Sequence, residues 1–228
     1  MEDKIWYLKE INIFKSLSEK DLMSLGAQCS MMKYEKGDLV YISDAEPNIY
    51  FIKSGSVKVV NQSEDGSEQL HEVIEAGELF GKFIGSDGGE QEQVIAVDEC
   101  LVCYMPFARW QDFIKNHAQL SLSFIKWIGL RIKRMERKMD SLYFKTSRQR
   151  IVEQLDDIIK RFGKKDSEGN VTISLSLTHE EIAQLTGTSR QNVNTFLNEL
   201  RANGYIEYDR NSLIIKPGYF GNAKLNSV

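Results

Sequence analysis

Residues 177–216 constrain this chain more than any other stretch. Thr178 followed three residues later by Glu181 has the form of a capping box. The Thr hydroxyl accepts from one free backbone N–H and the Glu carboxylate from another, so a helix is expected to start there. Ile182 and Leu185 give that helix an apolar side. Gly187 ends it, because glycine enters the left-handed backbone of a sharp stop without a Cβ penalty. Thr188 or Ser189 can cap a second helix, and Gln191 completes a possible second box from Thr188. In the second helix Val193, Phe196, Leu197 and Leu200 recur at i, i+3, i+4 and i+7, one buried stripe. Ser189, Arg190, Gln191, Asn194 and Thr195 are left on the opposite face or at the exposed N-terminal end. Asn203 and Gly204 stop the helix. Residues 206–209 and 213–216 then read as two short strands around a turn at Arg210, Asn211 and Ser212.

Two short helices joined by a glycine turn and followed by a β wing fit a helix-turn-helix, whose second helix lies in the major groove of DNA. The residue types agree: Arg190 can grip guanine, Gln191 or Asn194 can grip adenine, and Thr178, His179, Thr188, Ser189 and Thr195 can reach phosphates or base edges. A merely solvated helical hairpin would carry more acid on that face.

At 228 residues the chain suits one large domain or two modest ones. It has no run of eighteen apolar residues, so no membrane span is expected. The N-terminus lacks the basic and apolar regions of a signal peptide. With three cysteines and no export signal, a reduced cytoplasmic protein without structural disulfides is expected. The formal net charge is −4, but residues 146–228 carry 11 Lys and Arg against 10 Asp and Glu, and the rest 18 against 23. DNA affinity must therefore come from a few placed cations and not from bulk charge.

Residues 4–30 read as mostly helical, with Ser18 as an N-cap ahead of Asp21, Leu22 and Leu25 as an apolar side, and Ile13 and Phe14 as core. Residues 32–105 show short β-branched and aromatic runs at 39–42, 49–52, 57–60, 70–74, 94–97 and 101–105. They are separated by turns at Gly37, Gly55, Gly66, Gly77 and Gly88-Gly89. Such a series argues for an antiparallel jelly roll or barrel. From Phe113 to about Phe144 one long helix is expected. Ile125, Ile128, Ile132, Met135, Met139 and Leu142 recur at alternating spacings of three and four, the a/d repeat of a coiled coil, so a parallel homodimer is expected. Arg131 and Glu136 fall at g and e positions and can pair between chains, while Leu122, Phe124 and Trp127 are expected against the β domain. Residues 131–150 are basic and some can touch phosphates. Thr146 or Ser147 caps the next helix, whose core side is Ile151, Leu155, Ile158, Ile159 and Phe162. Residues 144–147 are the candidate hinge, 163–170 an exposed polar loop, and the tail beyond Pro217 frayed.

The fold class is thus α+β. The expected domains are a β-roll sensor domain at 1–112, a dimerisation helix and hinge at 113–145, and a winged helix-turn-helix at 146–228. This order resembles the Crp–Fnr family of bacterial transcription regulators. Its most specific parts are Gly37-Asp38, Pro47 and residues 50–58 in the roll, together with residues 177–216. The resemblance implies that a small molecule sensed in the roll shifts the dimer helices and re-aims the recognition helices at an inverted-repeat operator in double-stranded DNA, often as an activator contacting RNA polymerase.

Cyclic-nucleotide binders of that family carry a Gly-Glu pair for the ribose and, about ten residues on, an Arg for the cyclic phosphate. Here the matching Gly is Gly81, but Lys82 stands at the carboxylate position, and no Arg occurs in residues 77–97. Glu90 and Glu92 would repel an anion, and Lys82 lacks a guanidinium's two-toothed grip. Cyclic AMP is therefore not the expected ligand. An unidentified small-molecule effector is assigned to a pocket at Gly81, Lys82, Phe83, Gln93 and Val94. No metal is expected. Cys29, Cys100 and Cys103 are too few for an iron–sulfur cluster, and Cys100 and Cys103 at i and i+3 of a strand point to opposite faces as core residues. His71 is a weak haem candidate, and His117 and His179 read as surface helix residues. Where guanine-reading members place Glu and a second Arg, this chain has Gln191 and Thr195, so its operator should differ.

No catalytic constellation is present, so an enzyme is not expected. The alternative to a DNA regulator is an effector-binding module whose wing serves protein partners; a steep negative salt slope of DNA affinity separates the two.

Overall fold

The computed structural model describes residues 12–42, 47–62, 67–81, 91–175, 177–209 and 212–220. The chain divides into two compact units between Arg134 and Met135.

In the first unit a 3-10 turn, Asn12–Phe14, precedes helix α1, Glu19–Gln28. Ser18 caps α1 as expected, its Oγ accepting from Asp21 N. Eight strands follow: β1 Ser30–Tyr34, β2 Leu39–Ile42, β3 Asn48–Ser54, β4 Ser56–Gln62, β5 Glu68–Glu75, β6 Leu79–Gly81, β7 Gln91–Ala96 and β8 Cys100–Pro106. They form two antiparallel four-stranded sheets, ordered β1-β8-β3-β6 and β2-β7-β4-β5. Gly37, Gly55 and Gly77 stand at positive φ at their expected turns. The turns at Gly66 and Gly88-Gly89 lie outside the described residues.

Strand parity divides this unit's core in two. On β3, Ile49 and Phe51 join a cluster with Phe14, Leu22, Leu25 and Trp110, whereas Tyr50 and Ile52 join one with Val57, Val94 and Phe80 between the sheets. Cys103 and Cys100 on β8 fall into the first and the second cluster respectively, on opposite faces as the strand period requires. All three cysteines are buried. Strands β1 and β6 were not legible as separate runs; each is defined by its pairing, β1 with β8 and β6 with β3.

Helix α2, Phe107–Lys115, and helix α3, Ala118–Phe144, replace the single helix expected from Phe113. The break is held by Asn116 Nδ2 donating to Asp112 O at 2.9 Å and by His117, whose Nδ1 lies 2.7 Å from Phe113 O and whose ring stacks on Phe113. His117 is thus half-buried at a helix corner and not on a helix surface. Restarting the helix at Ala118 also resets which side faces the core. Leu120, Phe124 and Trp127 pack there, while Leu122, expected to do so, is 61% exposed.

In the second unit α4, Ser147–Phe162, starts at a complete capping box between Thr146 and Gln149. Ile151, Val152, Leu155 and Ile158 are buried on it. Strands β9 Gly163–Lys165, β10 Val171–Ile173, β11 Ile206–Asp209 and β12 Ser212–Ile215 form one antiparallel sheet ordered β11-β12-β10-β9. The wing is therefore four-stranded. The start of the expected polar loop at 163–170 is strand, because Lys165, Lys164 and Gly163 pair with Val171, Thr172 and Ile173. Beyond Pro217 the chain is tied down and not frayed as far as residue 220. Pro217–Tyr219 is a 3-10 turn, and Tyr219 is buried with its hydroxyl donating to Asp156 Oδ1 at 3.1 Å.

Candidate nucleic-acid interface, helix seam and effector domain

Helix α5, His179–Thr186, begins where the capping box predicts. Thr178 Oγ1 accepts from Glu181 N at 3.1 Å, and Glu181 Oε2 accepts from Thr178 N at 2.8 Å. Ile182, Ala183, Leu185 and Thr186 are buried, and the Thr186 hydroxyl donates to Ile182 O at 2.7 Å. Gly187 ends α5 in the left-handed region, at φ 60° and ψ 43°. A Cβ there would fall 2.4 Å from Leu142 Cδ2, so the glycine serves both the turn and the approach of that side chain.

Helix α6, Arg190–Ala202, is capped by Ser189, whose Oγ accepts from Asn192 N at 3.2 Å. The alternative box from Thr188 does not form. Thr188 Oγ1 instead accepts from Asn192 Nδ2 at 3.0 Å, because the helix starts one residue later. Val193, Phe196, Leu197 and Leu200 are buried as the spacing predicts. Ser189, Arg190, Gln191, Asn194 and Thr195 are all exposed. The first turn of α6 holds no acid, so free N–H groups, the positive end of the helix dipole and Arg190 all favour an anion such as a DNA phosphate there. Thr178 is exposed at the start of α5, and His179 is half-buried, its ring centroid 6.1 Å from that of Tyr208. Asn198 extends the polar row, its Nδ2 reaching Asn194 Oδ1 at 3.4 Å; the i, i+4 spacing from Asn194 was the available signal.

Several cations of the basic run are paired within the chain. Arg148 pairs with Glu199 at 2.7 Å and lies over the Phe196 ring, Lys145 pairs with Glu153, and Arg150 donates to three backbone carbonyls.

The six seam residues Ile125, Ile128, Ile132, Met135, Met139 and Leu142 all lie on α3 and are between 37% and 63% exposed, a row of large apolar side chains facing solvent. Arg131, expected to pair with a second chain, is engaged within its own. It bonds to Glu72 and lies over the Trp127 ring, and Arg134 likewise holds Glu78 at 2.8 Å.

The expected effector residues are less coherent. Gly81 ends β6 at φ 129°, and a Cβ there would fall 2.3 Å from Asn48 O, so close backbone packing against β3 requires glycine with or without a ligand. Lys82 and Phe83 lie outside the described residues. Gln93 and Val94 belong to the other sheet, where Gln93 Nε2 donates to Gln62 Oε1 at 3.0 Å and Val94 is fully buried between the sheets. Among the described residues no group of His, Cys, Asp or Glu is arranged to hold a metal ion, and no helix is long and apolar enough to cross a membrane.

A two-sheet roll followed by a long helix and a winged helix-turn-helix defines a sensor-type domain joined to a DNA-reading one. Residues 31–117 match the family model of the cyclic nucleotide-binding domain, and residues 149–217 that of the Crp-like helix-turn-helix domain. The CRP-like cAMP-activated global transcriptional regulator of Mycobacterium tuberculosis is 26% identical over 211 residues, covering 91% of this chain and 93% of that one. Among solved structures, a CooA mutant from Carboxydothermus hydrogenoformans matches with a TM-score of 0.69 at 23% identity, covering 95% of each chain. The c-di-GMP responsive regulator CLP of Xanthomonas campestris matches with a TM-score of 0.71 at 19% identity, covering 87% of this chain and 99% of that one. The chain belongs to the Crp–Fnr family of transcription regulators.

Proposed function

We propose that this protein is a sequence-specific DNA-binding transcription regulator that works as a homodimer in the cytoplasm, contacts RNA polymerase, and is controlled by a small molecule acting on the roll. The observation that carries the reading is α6. Its apolar stripe is buried while Arg190, Gln191, Asn194 and Thr195 stand exposed beside a helix N-terminus free of acid. Arg190 supplies a bidentate donor for guanine, and Gln191 or Asn194 supplies donor and acceptor for adenine.

The exposed seam on α3 supports the dimer, because a row of half-exposed Ile and Met is costly in water and inexpensive against a second copy. Two-fold symmetry then sets two recognition helices on half-sites about 34 Å apart, an inverted repeat. Cyclic AMP is not the favoured effector, since residues 77–97 contain no Arg for its phosphate. The effector is instead another small molecule acting on the roll.

The test is selection of DNA by the purified protein from a random pool, in parallel with and without cyclic AMP. An inverted repeat recovered equally in both arms supports the full reading. An inverted repeat recovered only with cyclic AMP overturns the effector assignment, and failure to enrich any DNA in either arm overturns the DNA-reading one.

A further inference from the structure

Arg150 sits in the first turn of α4, and each of its three guanidinium nitrogens donates to a backbone carbonyl. Nε donates to Thr186 O at 2.7 Å, Nη2 to Gly187 O at 2.8 Å and Nη1 to Lys145 O at 2.7 Å. The first two carbonyls close the C-terminal end of α5, and the third lies one residue past the end of α3. Helix C-termini leave carbonyls without intrahelical donors and carry the negative end of the dipole. One cation therefore caps two helices at once, a task suited to the fixed fork of N–H donors that a guanidinium presents.

Three further contacts converge on the same place. Leu142 in the last turn of α3 packs over Gly187, where even a Cβ would be too close. Ser141 Oγ donates to Glu153 Oε2 at 3.0 Å, and Lys145 pairs with the same carboxylate. Between them the capping box fixes the chain direction, with Gln149 N donating to Thr146 Oγ1 at 3.3 Å and Thr146 N to Gln149 Oε1 at 3.0 Å. Lys145 and Thr146, within the expected hinge at 144–147, are thus each held by hydrogen bonds.

We propose that Arg150 is a positioning residue for DNA recognition: it makes the last turn of α3, the first turn of α4 and the turn into α6 one rigid joint, which holds the start of the recognition helix in a fixed relation to the end of α3. The proposal rests on the DNA-reading function above. A movement of the last turn of α3 then carries the α5–α6 turn with it, because the guanidinium joins the two directly.

The test uses the full-length protein with Arg150→Gln and Arg150→Lys, the latter keeping the charge and losing the fork. Amide hydrogen exchange is followed in residues 136–146 and 183–190, and affinity for the selected DNA is titrated against salt. Faster exchange in both segments together is expected for both variants, with affinity lower by about tenfold, within the range for residues that couple two sites, and with an unchanged salt slope. If only residues 183–190 loosen, Arg150 merely caps α5 and the joint is refuted. A salt slope shallower by about one unit would make Arg150 a phosphate contact and refute the positioning role. Arg150→Lys behaving as wild type would show that the fork is dispensable and would equally refute it. If the wild type binds no DNA at all, the functional reading fails, while the exchange result still decides the joint.

Discussion

Replacing Gly187 by Ala combines two costs that can be measured separately. The residue sits at φ 60°, where an L side chain costs about 1–2 kcal/mol. The new Cβ would also stand 2.4 Å from Leu142 Cδ2. That atom is the end of a flexible side chain that is 45% exposed, so it can swing aside. Forcing it off its rotamer and losing its packing adds about 1 kcal/mol. The single mutant should therefore lose about 2–3 kcal/mol, summing the backbone and rotamer costs. In a double-mutant cycle with Leu142→Ala the second cost disappears, leaving a coupling of about 1 kcal/mol between the two positions. Urea unfolding read by far-UV circular dichroism measures both. Strictly additive losses would refute the contact between Leu142 and the turn. A neutral Gly187→Ala would refute the left-handed cap itself.

Three other outcomes are expected. Ile132→Asp, at a position 52% exposed in the single chain, should leave the fold intact and abolish the dimer, because two facing carboxylates each lose several kcal/mol of hydration in a closed seam; light scattering that still finds a dimer would show the seam misassigned. Arg190→Ala should weaken specific DNA binding by about 1–3 kcal/mol and relax one base position in a selection experiment, and unchanged base preference would remove its role as a reader. Hydrogen bonds from Ser18 and then from His117 hold the Asp21 carboxyl below its ordinary value of 3.8. A depressed folded value stabilises the protein above the unfolded value, and that stabilisation is lost as pH falls through the folded value. Asp21→Asn should thus flatten the acid side of the stability–pH curve below about pH 4, and an unchanged acid limb would contradict the pairing.

Much of the reading unit was visible in advance because its signals are local. A capping box spans three residues, a glycine stop depends on its own backbone, and a buried stripe is read from spacing alone; Thr178, Gly187 and the stripe from Val193 to Leu200 all stand where these rules put them. The longer strands of the roll were legible for the same reason. Strands β6 and β9, three residues each, were not. Leu79, Phe80 and Gly81 show no useful alternation, and Gly163, Lys164 and Lys165 have the composition of a loop. β6 is a strand because the distant β3 supplies the other half of its ladder, and β9 because β10 folds back on it. The break at Asn116 and His117 was hidden too, since it depends on side chains returning to carbonyls of the preceding turn.

The amino-acid order was sufficient for the fold class, the exposed apolar row along α3 and the polar side of α6, all of which follow from short-range periodicity and capping. It could not say which cations are displayed and which are consumed. Arg131 and Arg150 belong to one basic run, yet Arg131 is held by Glu72, 59 residues away, and Arg150 by carbonyls up to 37 residues away. Charge and spacing establish what a side chain is able to do. Whether it faces solvent, a partner or its own backbone depends on which distant segments the packed core brings within hydrogen-bonding reach.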